Sequence, residues 1–363
     1  MNDKKLLGIL PSYSGGGAEK VMLTYFDKVR KKPLSLKLFV SNKIGPKITN
    51  YSDVIECSYK RFLYSVPTLL KAIKKNEIDV LLSTFPHISL ILIITKIFKL
   101  HKCNIVVRQP NMLQASLSAT LKLRIIRFLY VRFINFADII IVTSEAMKKE
   151  AENYKIDKNK IYLLSNPINI TKIRKKTIPV RKKGKGLKLV FVGRLNYQKG
   201  IDRVIKVLSK IRNIEYLVIG DGDQKAYLEN LCSKFNLNRK VTFYGYLKNP
   251  YNIIAGADFF LLPSRWEGMP NCVLESLSLG TPVITFDNLA ALKDLSFNIK
   301  NKTIIMIKNN NELLSLLKST NPRKDALKPK LRENLLLNSC SEKKFRNTLD
   351  NIILNILCQN PQK

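Results

Sequence analysis

Two carboxylates, Glu267 and Glu275, bracket the stretch Glu267-Gly-Met-Pro-Asn-Cys-Val-Leu-Glu275, eight residues apart. Pro270 suits a first helical position, which places Glu267 on a loop and Glu275 about two turns inside a helix. At about 1.5 Å of rise per residue the pair would span roughly 12 Å, close to the distance from the sugar ring to the ribose of a nucleoside-diphosphate sugar. One acid could then hold sugar hydroxyls and the other ribose hydroxyls; equally, both could be ordinary solvated positions. Arg194 and Lys199 lie five apart in Gly193-Arg-Leu-Asn-Tyr-Gln-Lys-Gly200. An arginine fork and a compact ammonium suit a diphosphate, whose negative charge grows as a glycosyl bond breaks. A third segment, Gly15-Gly-Gly-Ala-Glu-Lys20, would let the backbone at Gly16 and Gly17 approach an anion at a helix N-terminus.

Other chemistries are disfavoured by what surrounds these groups. The P-loop pattern G-x-x-x-x-G-K-[ST] is absent, and Gly15-x-Gly17 runs into Lys20 where a dinucleotide fingerprint needs a third glycine. With only His87 and His101, a His-based zinc site or a Ser-His-Asp triad is hard to assemble. The six cysteines, at 57, 103, 232, 272, 340 and 358, have no C-x-x-C spacing, so free thiols in a reducing compartment are expected. Asp221-Gly-Asp223 is a D-x-D string that could hold a divalent metal, but its place after a strand and before a helical stretch assigns Asp223 to a helix N-cap.

These segments resemble, in order, the motifs of the GT4-type retaining glycosyltransferases: the amino-terminal Gly-Gly-x-Glu turn at 15–20, the G-R-L-x(3)-K-G segment at 193–200, the strand-ending G-x-G turn at Gly220-Asp-Gly222, and the E-x7-E region followed by Gly280-Thr-Pro-Val-Ile284. The resemblance runs from about residue 5 to 295. It implies a GT-B architecture and transfer of a hexose or N-acetylhexosamine from a nucleoside-diphosphate sugar, UDP-linked, to a lipid-linked or growing surface glycan. By motif position it assigns Arg194 and Lys199 to the diphosphate, Glu267 to the transferred sugar and Glu275 to the ribose, with Gly16, Gly17, Gly268 and Met269 lining the donor site; no metal or other cofactor is implied. One departure is the loop Val107-Arg-Gln-Pro-Asn111, where many relatives carry a histidine. Arg108 and Gln109 are therefore candidate site-lining residues. Another is Asp287-Asn-Leu-Ala-Ala-Leu-Lys-Asp294, which lacks the usual continuation after the acidic region.

The elements that must position these groups read as two α/β series. Buried-strand runs at Lys5–Leu10, Leu36–Ser41, Asp79–Ser83, Ile105–Val107 and Ile139–Thr143 alternate with helix-like stretches, as do Lys188–Val192, Tyr216–Ile219, Val241–Tyr244, Phe259–Leu262 and Val283–Thr285. The polar, Gly-containing run Ile178–Leu187 is the expected linker. We thus expect two doubly wound Rossmann-like domains, 1–180 and 188–340, facing a central cleft, and a final helix over 341–363 packing back on the first. Ligands of such sheets bind beyond the carboxyl ends of the strands, where every motif above falls.

A formal charge of +36 across 363 residues draws anionic partners to both halves. Segments 59–75 and 117–136 mix aromatics with Lys60, Arg61, Lys71, Lys74, Lys75, Lys122, Arg124, Arg127 and Arg132, a composition suited to an anionic bilayer surface. The longest apolar run, Ile88–Phe98, contains Lys96 and is too short to span a membrane. No signal-peptide pattern opens the chain. A cytoplasmic protein, peripheral on the inner face of the membrane, is expected. The alternative is a non-catalytic nucleic-acid or anionic-surface binder on the same fold; without an aromatic RNA-binding signature or helix-turn-helix pattern, no specific nucleic acid is expected.

Overall fold

Short runs with no polar alternation, such as Ile139–Val142 and Phe259–Leu262, become strands buried on both faces, as parallel sheets covered by crossover helices require. The computed structural model describes residues 4–13, 16–27, 34–45, 53–178, 186–296, 299, 303–322, 331–337 and 340–359. Within them, one sheet has the order β3-β2-β1-β4-β5-β6-β7 and the other β10-β9-β8-β11-β12-β13. The first comprises β1 (Lys4–Ser12), β2 (Leu34–Asn42), β3 (Val54–Glu56), β4 (Val80–Ser83), β5 (Asn104–Arg108), β6 (Ile139–Val142) and β7 (Ile161–Leu163). The second comprises β8 (Leu187–Val192), β9 (Ile214–Ile219), β10 (Val241–Gly245), β11 (Phe259–Leu262), β12 (Val283–Phe286) and β13 (Ile304–Ile307). Every pairing within the two sheets is parallel. The two doubly wound α/β domains expected from the sequence are present.

The chain divides into Met1–Pro167 with Cys340–Lys363 and, separately, Ile168–Ser339. The division falls about a dozen residues before the expected boundary at 180. Helix Ile170–Lys175 explains why: Ile168 and Ile173 bury in the second core, and Arg174 Nη1 donates to the Ser278 carbonyl at 2.8 Å. The backbone N–H of Ile178 is likewise held by Asn252 Oδ1 at 2.8 Å. Most of the expected linker, residues 179–185, lies outside the described residues.

Helix Glu342–Gln359 belongs to the first unit. It lays Phe345, Leu349 and Ile353 into that unit's core beside helix Gly17–Phe26, and Tyr25 Oη donates to Asp350 Oδ1 at 2.6 Å. The region that departs from the family pattern after Thr285 still completes the second sheet, with helix Ala290–Ser296 leading towards β13.

In each sheet the strand order reverses once, between β1 and β4 and between β8 and β11. Loops leaving the carboxyl ends of such strands diverge and open a crevice. The glycine turn at 16–17 follows β1, the segment 193–200 follows β8, and Glu267 follows β11.

Candidate functional site

The turn after β8 is shaped by glycines that admit a neighbouring backbone. Gly193 N donates to the Ile219 carbonyl at 3.0 Å and Leu195 N to that of Asp221 at 2.8 Å, so the strand-ending turn at 220–222 supports the 193–200 loop from behind. A Cβ on Gly220, at φ +137°, would stand 1.8 Å from the Gly193 carbonyl oxygen, and one on Gly222 would stand 2.3 Å from that of Leu195. Asn196 Oδ1 caps the short turn Tyr197–Lys199 by accepting from Lys199 N at 3.3 Å. Gly200 then adopts φ +64°, where a Cβ would meet the Pro263 carbonyl at 2.3 Å. That close approach presses the turn onto the loop following β11.

Lys199 and Glu267 meet across this seam. Nζ lies 2.6 Å from Oε1, with side chains only 16% and 5% exposed. Ser264 Oγ donates to the same oxygen at 2.7 Å, while Gln198 Nε2 approaches Oε2 at 3.4 Å. A carboxylate has about four lone-pair sites, so Oε2 keeps capacity for a further donor. Burial pushes the Lys199 ammonium pKa down, but the neighbouring Glu267 carboxylate outweighs it and leaves Lys199 above its ordinary value. Arg194 stands exposed, with no ion-pair partner among the described residues, and its charge opposes that of Lys199. The basic pair thus splits into one enclosed, paired cation and one displayed to solvent.

Glu275 is buried on helix Asn271–Ser278, but its relation to Glu267 differs from the helical estimate. Pro270 is the cap residue, with extended backbone (ψ 116°), so the helix begins one residue later and Glu275 lies little more than one turn inside it. Residues 267–270 form a loop, where the helical rise does not apply. Both carboxylates instead bear on Cys272 in the first turn: burial pushes its thiol up to about 12, with Glu267 and Glu275 adding to the shift and Lys199 opposing it. Gly268 is buried and Met269 half-buried between the two acids, with Met269 packed against the second core.

In the first unit, Gly16 caps helix Gly17–Phe26 with extended backbone, and its carbonyl accepts from Lys20 N at 2.9 Å. Gly15 lies outside the described residues. Arg108 and Gln109, at the end of β5, are enclosed rather than displayed, at 2% and 1% exposure. Arg108 Nη2 donates to Asn166 Oδ1, and burial lowers its pKa to about 10. Gln109 Nε2 donates to the Asn111 carbonyl at 3.1 Å; Arg108 Nε and Gln109 Oε1 have no partner among the described residues.

The D-x-D string takes another place than expected. Helix Lys225–Lys234 is capped by Gln224, not Asp223, because Gln224 N is drawn back to the Leu195 carbonyl at 2.9 Å, delaying the helix. Asp221 Oδ1 accepts from its neighbour Gly222 N at 2.8 Å. Among the described residues no three His, Cys, Asp or Glu side chains gather as a metal site. Sequence reasoning also missed Ser264, Gln198 and the pair Asp202–Arg265, whose guanidinium nitrogens lie 2.9 and 2.6 Å from the carboxylate oxygens. Gln198 and the Asp202–Arg265 pair join residues more than 60 apart in sequence, and Ser264, three residues before Glu267, lies with it in an irregular loop, so no helical or strand periodicity signals them.

Two family models match end to end: Glycosyltransferase Family 4 over residues 16–172 and Glycosyl transferases group 1 over residues 171–324. An uncharacterized glycosyltransferase of Methanocaldococcus jannaschii is 33% identical over 235 residues, covering 60% of this chain and 58% of that protein. The O-antigen biosynthesis glycosyltransferase WclY of Escherichia coli is 42% identical over 113 residues, covering 30% of this chain and 32% of that protein. The matched segments thus span from about a third to somewhat over half of these relatives. In fold, the crystal structure of Anabaena HepE in complex with UDP and glucose superposes with a TM-score of 0.75 at 15% identity, over 97% of this chain and 100% of that one. With its two parallel sheets and with consecutive family matches from residue 16 to 324, the chain belongs to the family 4, group 1 glycosyltransferases of GT-B fold.

Proposed function

We propose that the protein is a retaining glycosyltransferase that moves a hexose or N-acetylhexosamine from a UDP-linked donor to a lipid-linked or growing surface glycan, without a metal. The buried Lys199–Glu267 pair at the carboxyl edge of β8 and β11, beside the displayed Arg194, carries this reading. A diphosphate entering there meets one cation free to form two bonds and a second already oriented by Glu267. Sugar hydroxyls donate to Oε2 of Glu267, and Glu275 accepts from the ribose. As the bond from C1 to the β-phosphate oxygen breaks, Arg194 and Lys199 stabilise the charge left on the diphosphate. The acceptor oxygen bonds to C1 from the same face and its proton passes to the leaving phosphate, so no side chain is needed as base. UDP and glucose in the Anabaena neighbour and O-antigen synthesis by the Escherichia coli relative support the donor and product classes.

Acceptor delivery is assigned to the membrane surface, with the protein peripheral on the inner face of the cytoplasmic membrane. Helix Leu121–Phe133 buries only Tyr130. Leu121, Ile125 and Phe128, at 74, 51 and 70% exposure, recur at helical spacing on one stripe. Lys122, Arg124 and Arg132 are also exposed on this helix. Apolar side chains among cations suit the headgroup boundary of an anionic bilayer. Among the described residues no helix is long and apolar enough to cross a membrane. The test is a panel of labelled nucleotide sugars incubated with lipid-linked acceptors, with the product identified by mass. Transfer from at least one UDP-sugar is expected; release of no nucleoside diphosphate from any donor would overturn the proposal.

A further inference from the structure

We propose that Arg265 is a positioning residue: gripped by Asp202 and stacked over Tyr197, it registers the loop bearing Glu267 against the turn bearing Lys199. This rests on the donor reading above but concerns a residue outside that assignment. The Arg265 fork is bidentate, with Nη1 2.9 Å from Asp202 Oδ1 and Nη2 2.6 Å from Oδ2. Its guanidinium carbon lies 3.9 Å from the centre of the Tyr197 ring, and Nη1 also donates to the Tyr197 carbonyl at 2.8 Å. The backbone N–H of Arg265 donates to the Gln198 carbonyl at 2.7 Å. Its own carbonyl accepts from Asn288 Nδ2 at 2.6 Å.

One residue, two before Glu267, thus holds the two residues immediately before Lys199 and the third residue after it. An exposed ion pair would contribute little. This one is half-buried, planar, stacked and bonded on both edges, so it fixes direction as well as distance. What it fixes is the separation and angle of two segments that otherwise meet through Gly200, the Gln198 side chain, Arg203 Nη1 on the Pro263 and Ser264 carbonyls at 3.0 and 3.2 Å, and the Lys199–Glu267 contact itself. Lys199 acts on charge that is greatest in the transition state, so a small loss of registration lowers kcat more than it raises KM.

Trp266, the chain's sole tryptophan, provides an optical probe. Its ring centre is 6.1 Å from that of Tyr197 and its carbonyl accepts from Gln198 Nε2 at 3.0 Å. The experiment uses the full-length protein and the variants Arg265→Ala, Arg265→Lys and Asp202→Asn, the last keeping side-chain shape. Without donor, acrylamide quenching of Trp266 is expected to rise in Arg265→Ala and Asp202→Asn. In turnover, kcat is expected to fall about 10-fold with donor KM changed by less than about 3-fold, and Arg265→Lys is expected to recover part of the loss. In a Lys199→Ala background, Arg265→Ala should cost less than about 2-fold more, because its effect passes through Lys199. Unchanged quenching in both variants, or equal fold losses with and without Lys199, would overturn the proposal. Normal turnover by Lys199→Ala alone would instead refute the donor reading, and the quenching would still decide the registration.

Discussion

Replacing each member of the basic pair should separate stability from catalysis, because the structure buries one and displays the other. Lys199→Ala leaves Glu267 enclosed with only Ser264 Oγ at 2.7 Å and a long contact from Gln198 at 3.4 Å. Breaking a buried pair costs about 3–5 kcal/mol, and the retained donor argues for the lower end, about 3 kcal/mol. For a unit of this size that lowers Tm by roughly 6–12 °C. Arg194→Ala removes no pairing and should stay within about 0.5 kcal/mol of the parent protein. Both should cut transfer by a factor on the order of 100 or more. The double change Lys199→Met with Glu267→Gln should recover stability but not activity. The pH dependence has a definite sign. A base whose pKa is raised on folding stabilises fully below its ordinary value, here 10.5, and loses that contribution as pH climbs through the higher folded value. The stability gap between parent and Lys199→Ala should therefore narrow above pH 10.5. Melting curves and donor turnover measured on the same preparations decide the matter. Parent-like melting by Lys199→Ala, or a large loss of stability in Arg194→Ala, would refute the reasoning.

Three further outcomes follow from separate features. Activity should survive EDTA and Asp223→Ala alike; a strict Mn²⁺ or Mg²⁺ requirement abolished by Asp223→Ala would restore the D-x-D string as a metal site. Cosedimentation with anionic liposomes should exceed that with neutral ones, fall at high salt, and weaken in Phe128→Ser combined with Lys122→Glu and Arg132→Glu, with about 1 kcal/mol lost for each cation removed near the surface; equal binding to both vesicle types would detach this helix from acceptor delivery. Gly200→Ala should destabilise by more than about 1 kcal/mol and abolish transfer, since φ +64° and a 2.3 Å approach to Pro263 leave no room for a methyl group; wild-type melting in this variant would contradict the seam described here.

Strands were legible wherever burial on both faces made a continuous apolar run, as at Ile139–Val142. The short edge strands Val54–Glu56 and Ile161–Leu163 were not, because they carry half-exposed residues and little length. The motif residues that meet, Lys199 and Glu267, were legible as chemistry through family resemblance, but not as an ion pair. The eight-residue spacing of Glu267 and Glu275 was misread as helical rise because four of its residues form a loop ended by Pro270. Asp223 lost its cap role to a backbone bond at Gln224, and the domain boundary moved because two isoleucines beyond Pro167 prefer the second core. Such tertiary preferences have no local signature.

The most direct test of a diphosphate site at Arg194 and Lys199 is calorimetric titration of the protein and its Arg194→Ala variant with UDP and with UMP. We expect UDP to bind the parent protein about 100-fold more tightly than UMP, and the preference to collapse in Arg194→Ala. Equal affinities for the two nucleotides in the parent, or a UDP preference undiminished in the variant, would contradict it.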